Sequence, residues 1–315
     1  MARQLRIEFP GAFYHVTSRG NEQKDVFKSQ KDREKFLDYL ETASARYGAV
    51  IHAYCLMSNH YHLFIETPGG NLSQIMRHIN GAYTTYFNVK RKRAGHLFQG
   101  RYKAILVEAD AYAAELTRYI HLNPVRAGMA VRPEAYLWSS YRTYIGQTTT
   151  PEWLSTGFIL DPFSPNRAQA QIKYRQFVED LLQTDYESPL TGTVAATLLG
   201  SAAFVAGITT RHLGERRADP HLPALKKLVG GPSLDGIIAE VERVVGHDED
   251  LARKLSLHFC HRYSGAKLRE IGVRFQMSDA AVCQVSRRIM LRAKEDAGVR
   301  ELMERVTQEL CLLRV

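Results

Sequence analysis

No apolar run in the chain approaches the roughly 18 residues needed to cross a bilayer, which excludes a helical membrane protein. Cysteine is scarce. Cys55, Cys260, Cys283 and Cys311 are scattered and form no CxxC pair. That excludes a disulfide framework, argues against a zinc site, and leaves the four as buried thiols of a reducing compartment. The opening MARQLRIEFPGAFYHV lacks the apolar core of a secretory signal, so a cytoplasmic location is expected. Internal repeats and a long disordered tail are also missing. Acidic residues are short in one place only. Residues 1–150 hold 12 Asp/Glu against 20 Lys/Arg, while residues 151–229 hold 8 of each and residues 230–315 hold 13 against 14. Nearly all of the net charge of +9 therefore lies in the first half, the footprint of a surface that tracks phosphates.

The 315 residues exceed one ordinary domain. Composition and punctuation suggest three parts: 1–150, a connector and helical region at 151–229 opening on PEWLSTGFILDPFSPN, and a helical region at 230–315 after GGPS. Within the first part, AFYHVTSR (12–19) reads as a strand, and 31–46 as an amphipathic helix with Phe36, Leu37, Leu40 and Ala43 on one side. AVIHAYCL (49–56) and HYHLFIE (60–66) read as strands joined by a tight link, hence antiparallel neighbours. A helix at 71–88, with Asn71 as candidate cap, is followed by the basic loop KRKRAG. A strand at 96–108 with a glycine inside it comes next. The last helix covers 110–122 and is expected to stop before Asn123-Pro124, because a residue preceding proline leaves the helical region. The order β-α-β-β-α-β-α points to an α+β, ferredoxin-like antiparallel sheet with helices on one face.

On a strand, residues i and i+2 share a face, so His60 and His62 stand side by side, close enough to share one metal ion. An HxH pair alone is a common feature of surfaces. In the last helix, Tyr119 and Asn123 are four residues apart and project together. An amide oxygen suits a hard cation, although a lone tyrosine on a helix is more often packing than chemistry. A phenol ionises near pH 10. A tyrosine therefore needs a partner to ionise near neutral pH, and Arg118, His121 or a metal are the candidates nearby. Position i+2 turns away from Tyr119, so His121 is expected on the helix exterior.

Four segments, YHVTSRGN (14–21), MSNHYHLFIE (57–66), HLFQGRYKAILVE (96–108) and RYIHLNPVRAGM (118–129), together resemble the REP-associated tyrosine transposases, relatives of the IS200-like single-strand transposases with an HUH motif. The resemblance covers residues 1–146. It implies an HUH nuclease fold with His60 and His62 as metal ligands, Asn123 as a third ligand, and Tyr119 as nucleophile. Asn59 stands where the family usually has asparagine, while Tyr61 is a loose fit to the hydrophobic middle position. The implied cofactor is Mg²⁺ or Mn²⁺. The implied reaction is attack of Tyr119 on a single strand, giving a 5′-phosphotyrosine and a free 3′-hydroxyl. The implied partner is the hairpin of a repeated extragenic palindrome with adjoining single-stranded DNA. Arg19, Asn59, Arg101, Lys103, Arg118 and Arg126 lie within these motifs and are candidate DNA contacts. Lys90, Arg91, Lys92 and Arg93, beside Tyr83, Tyr86, Phe87, Phe98 and Tyr102, combine charge with aromatics as a strand-binding surface does.

In the last third, KLREIGVRF, QMS and DAAVCQVSRRIMLRAK read as helix, turn and helix, with Ser278 as cap. The pattern resembles the helix-turn-helix of the replication initiator DnaA. That would place Ser278, Asp279, Gln284, Arg287 and Arg288 toward a duplex. Two other functions compete with the transposase reading: a domesticated DNA-binding regulator without cleavage, and an RNA-processing protein on a ferredoxin-like sheet. Monomer and homodimer remain open.

Overall fold

Alternate side chains of one strand, pointing to opposite faces, organise the first half of the molecule in this computed structural model. The structure describes residues 5–182, 184, 187–213, 224, 225, 228 and 233–310. The chain divides into two compact units, Arg6–Val205 and Ala206–Val315 with Met1–Leu5.

In the first unit the elements are β1 (Ala12–Arg19), α1 (Gln30–Tyr47), β2 (Val50–Leu56), β3 (His60–Thr67), α2 (Leu72–Lys90), β4 (Lys103–Val107) and α3 (Ala109–Arg126). After them come α4 (Tyr141–Tyr144), α5 (Gly157–Leu160), α6 (Arg167–Glu179) and β5 (Leu198–Leu199). The sheet order is β2-β3-β1-β4-β5. The first four strands are antiparallel, and β5 joins β4 in parallel. The α+β class and the antiparallel four-strand core agree with the sequence reading.

The helices, however, occupy both faces. From β3, Tyr61 points to α1 and α2: its ring meets Phe36 at 4.7 Å, and its hydroxyl donates to Asn80 Oδ1 at 2.7 Å. Its neighbours His62 and Phe64 point the other way, where Phe64 packs with Leu116 and Ile120 of α3. The β3 run is buried nearly throughout, so its hydrophobicity could not show that a helix covers the second face as well.

Two element boundaries differ from expectation. The ladder of β4 begins only at Lys103, because Gly100 takes φ +67° and breaks it. A single bridge, Gly20 to Phe98, is what remains upstream. Helix α3 runs through Pro124 to Arg126. Proline there lies two residues from the helix end, so it forfeits one backbone bond in the last turn. Gly128, at φ +65°, then turns the chain.

Residues 151–205 are not a separate connector. Ile159, Leu160, Ala170, Tyr174 and Val178 share one core with Ala113, Leu116, Ile120 and Tyr141. The boundary between the two units falls at 205/206, while the expected boundary at 229/230 lies outside the described residues.

The second unit is helical, with helices at Leu234–Val245, Glu249–Tyr263, Leu268–Phe275, Asp279–Glu295 and Ala297–Glu309 around a core of Val241, Leu255, Phe259, Ile271, Val282 and Ile289. Gln276 ends the third helix at φ 55°, and Ser278 Oγ caps the fourth by accepting from Ala281 N at 3.3 Å. A Cβ at Gly272 would come within 2.5 Å of Met277 O, so the tight turn between these helices requires glycine. Cys55 and Cys260 are buried, but Cys283 is exposed, since it lies on the outer face of the fourth helix; Cys311 lies outside the described residues. Among the described residues no helix is long and apolar enough to cross a membrane.

Candidate functional site

The site is built where β1 and β3 lie side by side beneath α3. Register pairs Arg19 with His60 and Thr17 with both His62 and Lys103, which places these side chains in adjacent rows on the α3 face. His60 and His62 rings lie 5.0 Å apart. The Tyr119 ring stands edge-on to His62 at 5.8 Å, and Arg126 lies over that ring with its guanidinium 5.8 Å from the centroid. Asn123, one turn on, donates from Nδ2 to the Tyr119 carbonyl at 2.8 Å. Its side-chain oxygen is therefore the atom left to meet a cation.

A third histidine completes the cluster. His15 stacks on His62 at 5.2 Å with the planes 10° apart, and His15 Nε2 is 2.9 Å from His62 Nδ1. Sequence reasoning passed over His15. The available signal was its position in YHVTSRGN, two residues from Thr17 and hence on the same strand face.

Burial governs the protonation of this cluster. It lowers His15 to about 4. Burial, assisted by the charge of Arg19, lowers His60 to about 4. His62 is held well below the usual histidine value by burial and then by His15, His60 and Arg19. All three are neutral imidazoles near pH 7, the form that binds metals.

The ring nitrogens are arranged accordingly. His60 Nδ1 lies 2.6 Å from Asn59 Oδ1 and donates to it, which leaves His60 Nε2 as the lone-pair nitrogen. Asn59 is itself held by its Nδ2 donating to Gln23 O at 3.0 Å. His62 Nε2 is buried and has no hydrogen-bond partner. An unpartnered buried ring nitrogen of this kind beside a second imidazole fits a cation, and bonds at the two Nδ1 atoms are of the kind that orient metal-binding histidines. Among the described residues no group of three or more His, Cys, Asp and Glu side chains converges to hold a metal. A cation here would meet two imidazoles, with an amide or substrate oxygens left to complete its shell.

Other candidates are placed elsewhere. Arg118 is nearly buried, with its guanidinium 3.8 Å from the Phe177 ring centroid, and it bonds Phe177 O at 3.0 Å and Glu115. His121 is fully buried rather than exterior. Its Nδ1 lies 2.7 Å from Tyr174 Oη and its Nε2 2.8 Å from Ser140 Oγ. Both belong to the face of α3 turned toward α6, so neither serves as a partner for Tyr119. The helix is covered on two sides, and a one-sided reading of its periodicity could not show that. In the basic loop, Lys90 and Arg91 both bind the buried carboxylate of Asp32. Burial pushes that carboxyl up, but bonds from Lys90, Arg91 and the Lys28 amide outweigh it and hold the group at about 2. Lys92 and Arg93 are exposed, as are Arg19, Arg101, Lys103 and Arg126. In the second unit Gln284, Arg287 and Arg288 lie exposed along one helix, and Ser278 is occupied as its cap.

Residues 9–123 match the model of the Transposase IS200 like family. The matched span holds β1 through the last turn of α3, including His15, His60, His62, Tyr119 and Asn123. A solved structure described as the REP-associated tyrosine transposase bound to a REP hairpin is 16% identical, with a TM-score of 0.42, covering 49% of this chain and 92% of that one. No curated protein matches the chain.

Proposed function

We propose that the chain is a single-strand DNA transesterase in which Tyr119 is the nucleophile. The observation that carries this reading is the Tyr119 ring lying against His62, whose Nε2 is buried without a partner. A divalent cation, Mg²⁺ or Mn²⁺, would be held by His60 Nε2, His62 Nε2 and the Asn123 side-chain oxygen. When bound it supplies Lewis-acid neutralisation of the phosphate under attack.

The chain's residues supply the rest. The Tyr119 oxygen loses its proton to solvent and forms a bond to phosphorus. The bond from phosphorus to the 3′-oxygen breaks, and that oxygen leaves as a hydroxyl after taking a proton. The product is a 5′-phosphotyrosine that retains the energy of the broken diester, so the reverse step rejoins strands without a nucleotide cofactor. Arg126, whose guanidinium lies over the Tyr119 ring, brings a positive charge to the side of the site from which Tyr119 attacks the phosphate. Arg19 and Lys103 flank the histidine rows and suit phosphates of the incoming strand, and Lys92, Arg93 and Arg101 extend the basic surface. Of the residues expected to bind DNA, Lys90, Arg91, Arg118 and Ser278 have structural occupations instead.

The substrate in this reading is a hairpin with adjoining single strand, and the second unit, with Gln284, Arg287 and Arg288 outward, binds duplex as a helix-turn-helix. The test is incubation with Mn²⁺ and a hairpin-bearing strand labelled at either end. The reading predicts that the 3′ label becomes attached to protein while the 5′ label is released on a fragment ending in a 3′-hydroxyl. A regulator that only binds would retain both labels on intact DNA.

A further inference from the structure

On the sheet face opposite the histidines, a cleft of about 500 Å³ opens between α2 and the segment 96–102. Arg6, Arg77 and Arg101 stand around it, with Phe98, Tyr102 and Asn80 in the wall. Arg6 lies over the Tyr102 ring, its guanidinium 4.1 Å from the centroid. Among the described residues no ion pair ties up Arg77 or Arg101, and both are exposed. The carboxylate of Glu8 accepts from the Ser73 amide at 3.1 Å and from its hydroxyl, so it is committed to the start of α2.

We propose that this cleft holds one unpaired nucleotide of a DNA strand, with its base against Phe98 and the Arg6 guanidinium that covers Tyr102, and its phosphate on Arg77 and Arg101. Volume, aromatic walls and forked cations are the three things a nucleotide needs. Pockets of about 300–1,000 Å³ suit ligands of that size. Aromatic rings stack on any base, and guanidinium groups bind phosphate through paired N–H donors. The cleft also touches the proposed cation site from behind. Asn80 accepts from the Tyr61 hydroxyl at 2.7 Å, and Phe98 meets the Tyr61 ring edge-on at 6.0 Å. Tyr61 is the residue between His60 and His62. A polar tyrosine at this otherwise apolar strand position is thus explained: its hydroxyl ties β3 to the cleft wall, so an occupant of the cleft steadies the strand that carries both imidazoles. The inference rests on the reading above only in taking a DNA strand as ligand.

The test uses the full chain carrying Tyr119→Phe, so that binding is read without turnover, and a single strand of about 12 nucleotides, within the range one such surface accommodates. Strands bearing 5-iododeoxyuridine at successive positions are irradiated and the crosslinked peptide identified. Gly81→Leu adds bulk at a residue lining the cleft without altering charge: a Cβ there has nothing within 4 Å, and leucine favours the helix over glycine. The expected results are a crosslink within residues 96–102 from one unpaired position, and binding weakened about tenfold by both Gly81→Leu and Arg77→Ala. Unchanged binding by Gly81→Leu overturns the proposal even where Arg77→Ala weakens it, because the shape of the cleft then does not matter. Crosslinks confined to other peptides overturn it as well. Displacement of the strand by a micromolar mixture of free deoxynucleoside monophosphates would assign the cleft to a soluble nucleotide and also overturn it. Failure of Tyr119 to form a covalent adduct is a separate result and leaves this cleft standing.

Discussion

His15 Nε2 lies 2.9 Å from His62 Nδ1, across the two neighbouring strands β1 and β3. The pairing occupies Nδ1 of His62 and leaves Nε2 as its free nitrogen; binding of a cation there requires the tautomer in which Nδ1–H donates to His15 Nε2. Replacing His15 by phenylalanine keeps a planar ring in the space but removes the acceptor. Mn²⁺ affinity, followed by electron paramagnetic resonance titration, is expected to fall about tenfold or more, as it does when outer partners of ligating histidines are removed. Unchanged affinity would show that His15 only fills space.

The basic loop divides into two kinds of cation. Lys90 and Arg91 neutralise Asp32, whose carboxylate is fully buried. Asp32→Ala leaves these two charges without their partner and is expected to destabilise the first unit by about 3 kcal/mol, read by urea unfolding. Lys92→Ala and Arg93→Ala are expected to change stability by less than about 0.5 kcal/mol while weakening strand binding. If Asp32→Ala leaves stability intact, the loop is not organised by this carboxylate.

His121 links α3 to α6 and to the segment along β2 through Tyr174 and Ser140. His121→Ala removes two bonds and opens a cavity, and a loss of about 2–4 kcal/mol is expected, read as a fall in thermal midpoint. The same residue gives stability a pH dependence. Burial holds it at about 3, far below the usual value that the unfolded chain retains. The unfolded state takes up the proton first, so this contribution is complete above about pH 6.5 and is lost progressively as pH falls toward 3. The urea midpoint of the wild type should decline between pH 7 and pH 4.5, and His121→Gln should flatten that decline. An equal decline in the variant would assign the effect to other groups.

These residues show how far the sequence was legible. The HxH alternation, the short β2–β3 link and the i, i+4 spacing of Tyr119 and Asn123 are local features, and each survived into the structure. What sequence could not display were partners supplied from a distance. Arg118 and His121 look like neighbours of Tyr119 in the chain but face α6, some 50 residues on. Lys90 and Arg91 look like phosphate ligands until Asp32, from another helix, claims them. The three-part division misplaced residues 151–205, because a Pro- and Ser-rich opening resembles a linker whether or not the helix after it packs back onto α3.

In the second unit, Arg287 and Arg288 project outward from the helix that follows the tight turn at Gln276–Ser278. If this helix meets a duplex, replacing both arginines by alanine weakens duplex binding and lowers the slope of affinity against salt by roughly one for each phosphate no longer neutralised. Covalent adduct formation on a short hairpin should be unaffected. A salt slope identical to wild type would remove these residues from any role on the duplex.

The role of Tyr119 is tested most directly by the fate of the 3′-end label. With Mn²⁺ and a hairpin-bearing single strand, the wild-type chain should carry the 3′-labelled fragment through denaturing electrophoresis, and digestion should place the phosphodiester on the peptide containing Tyr119. The Tyr119→Phe protein should bind the same DNA and carry no label. A labelled adduct of equal yield in Tyr119→Phe, or one mapped to another residue, would contradict the account.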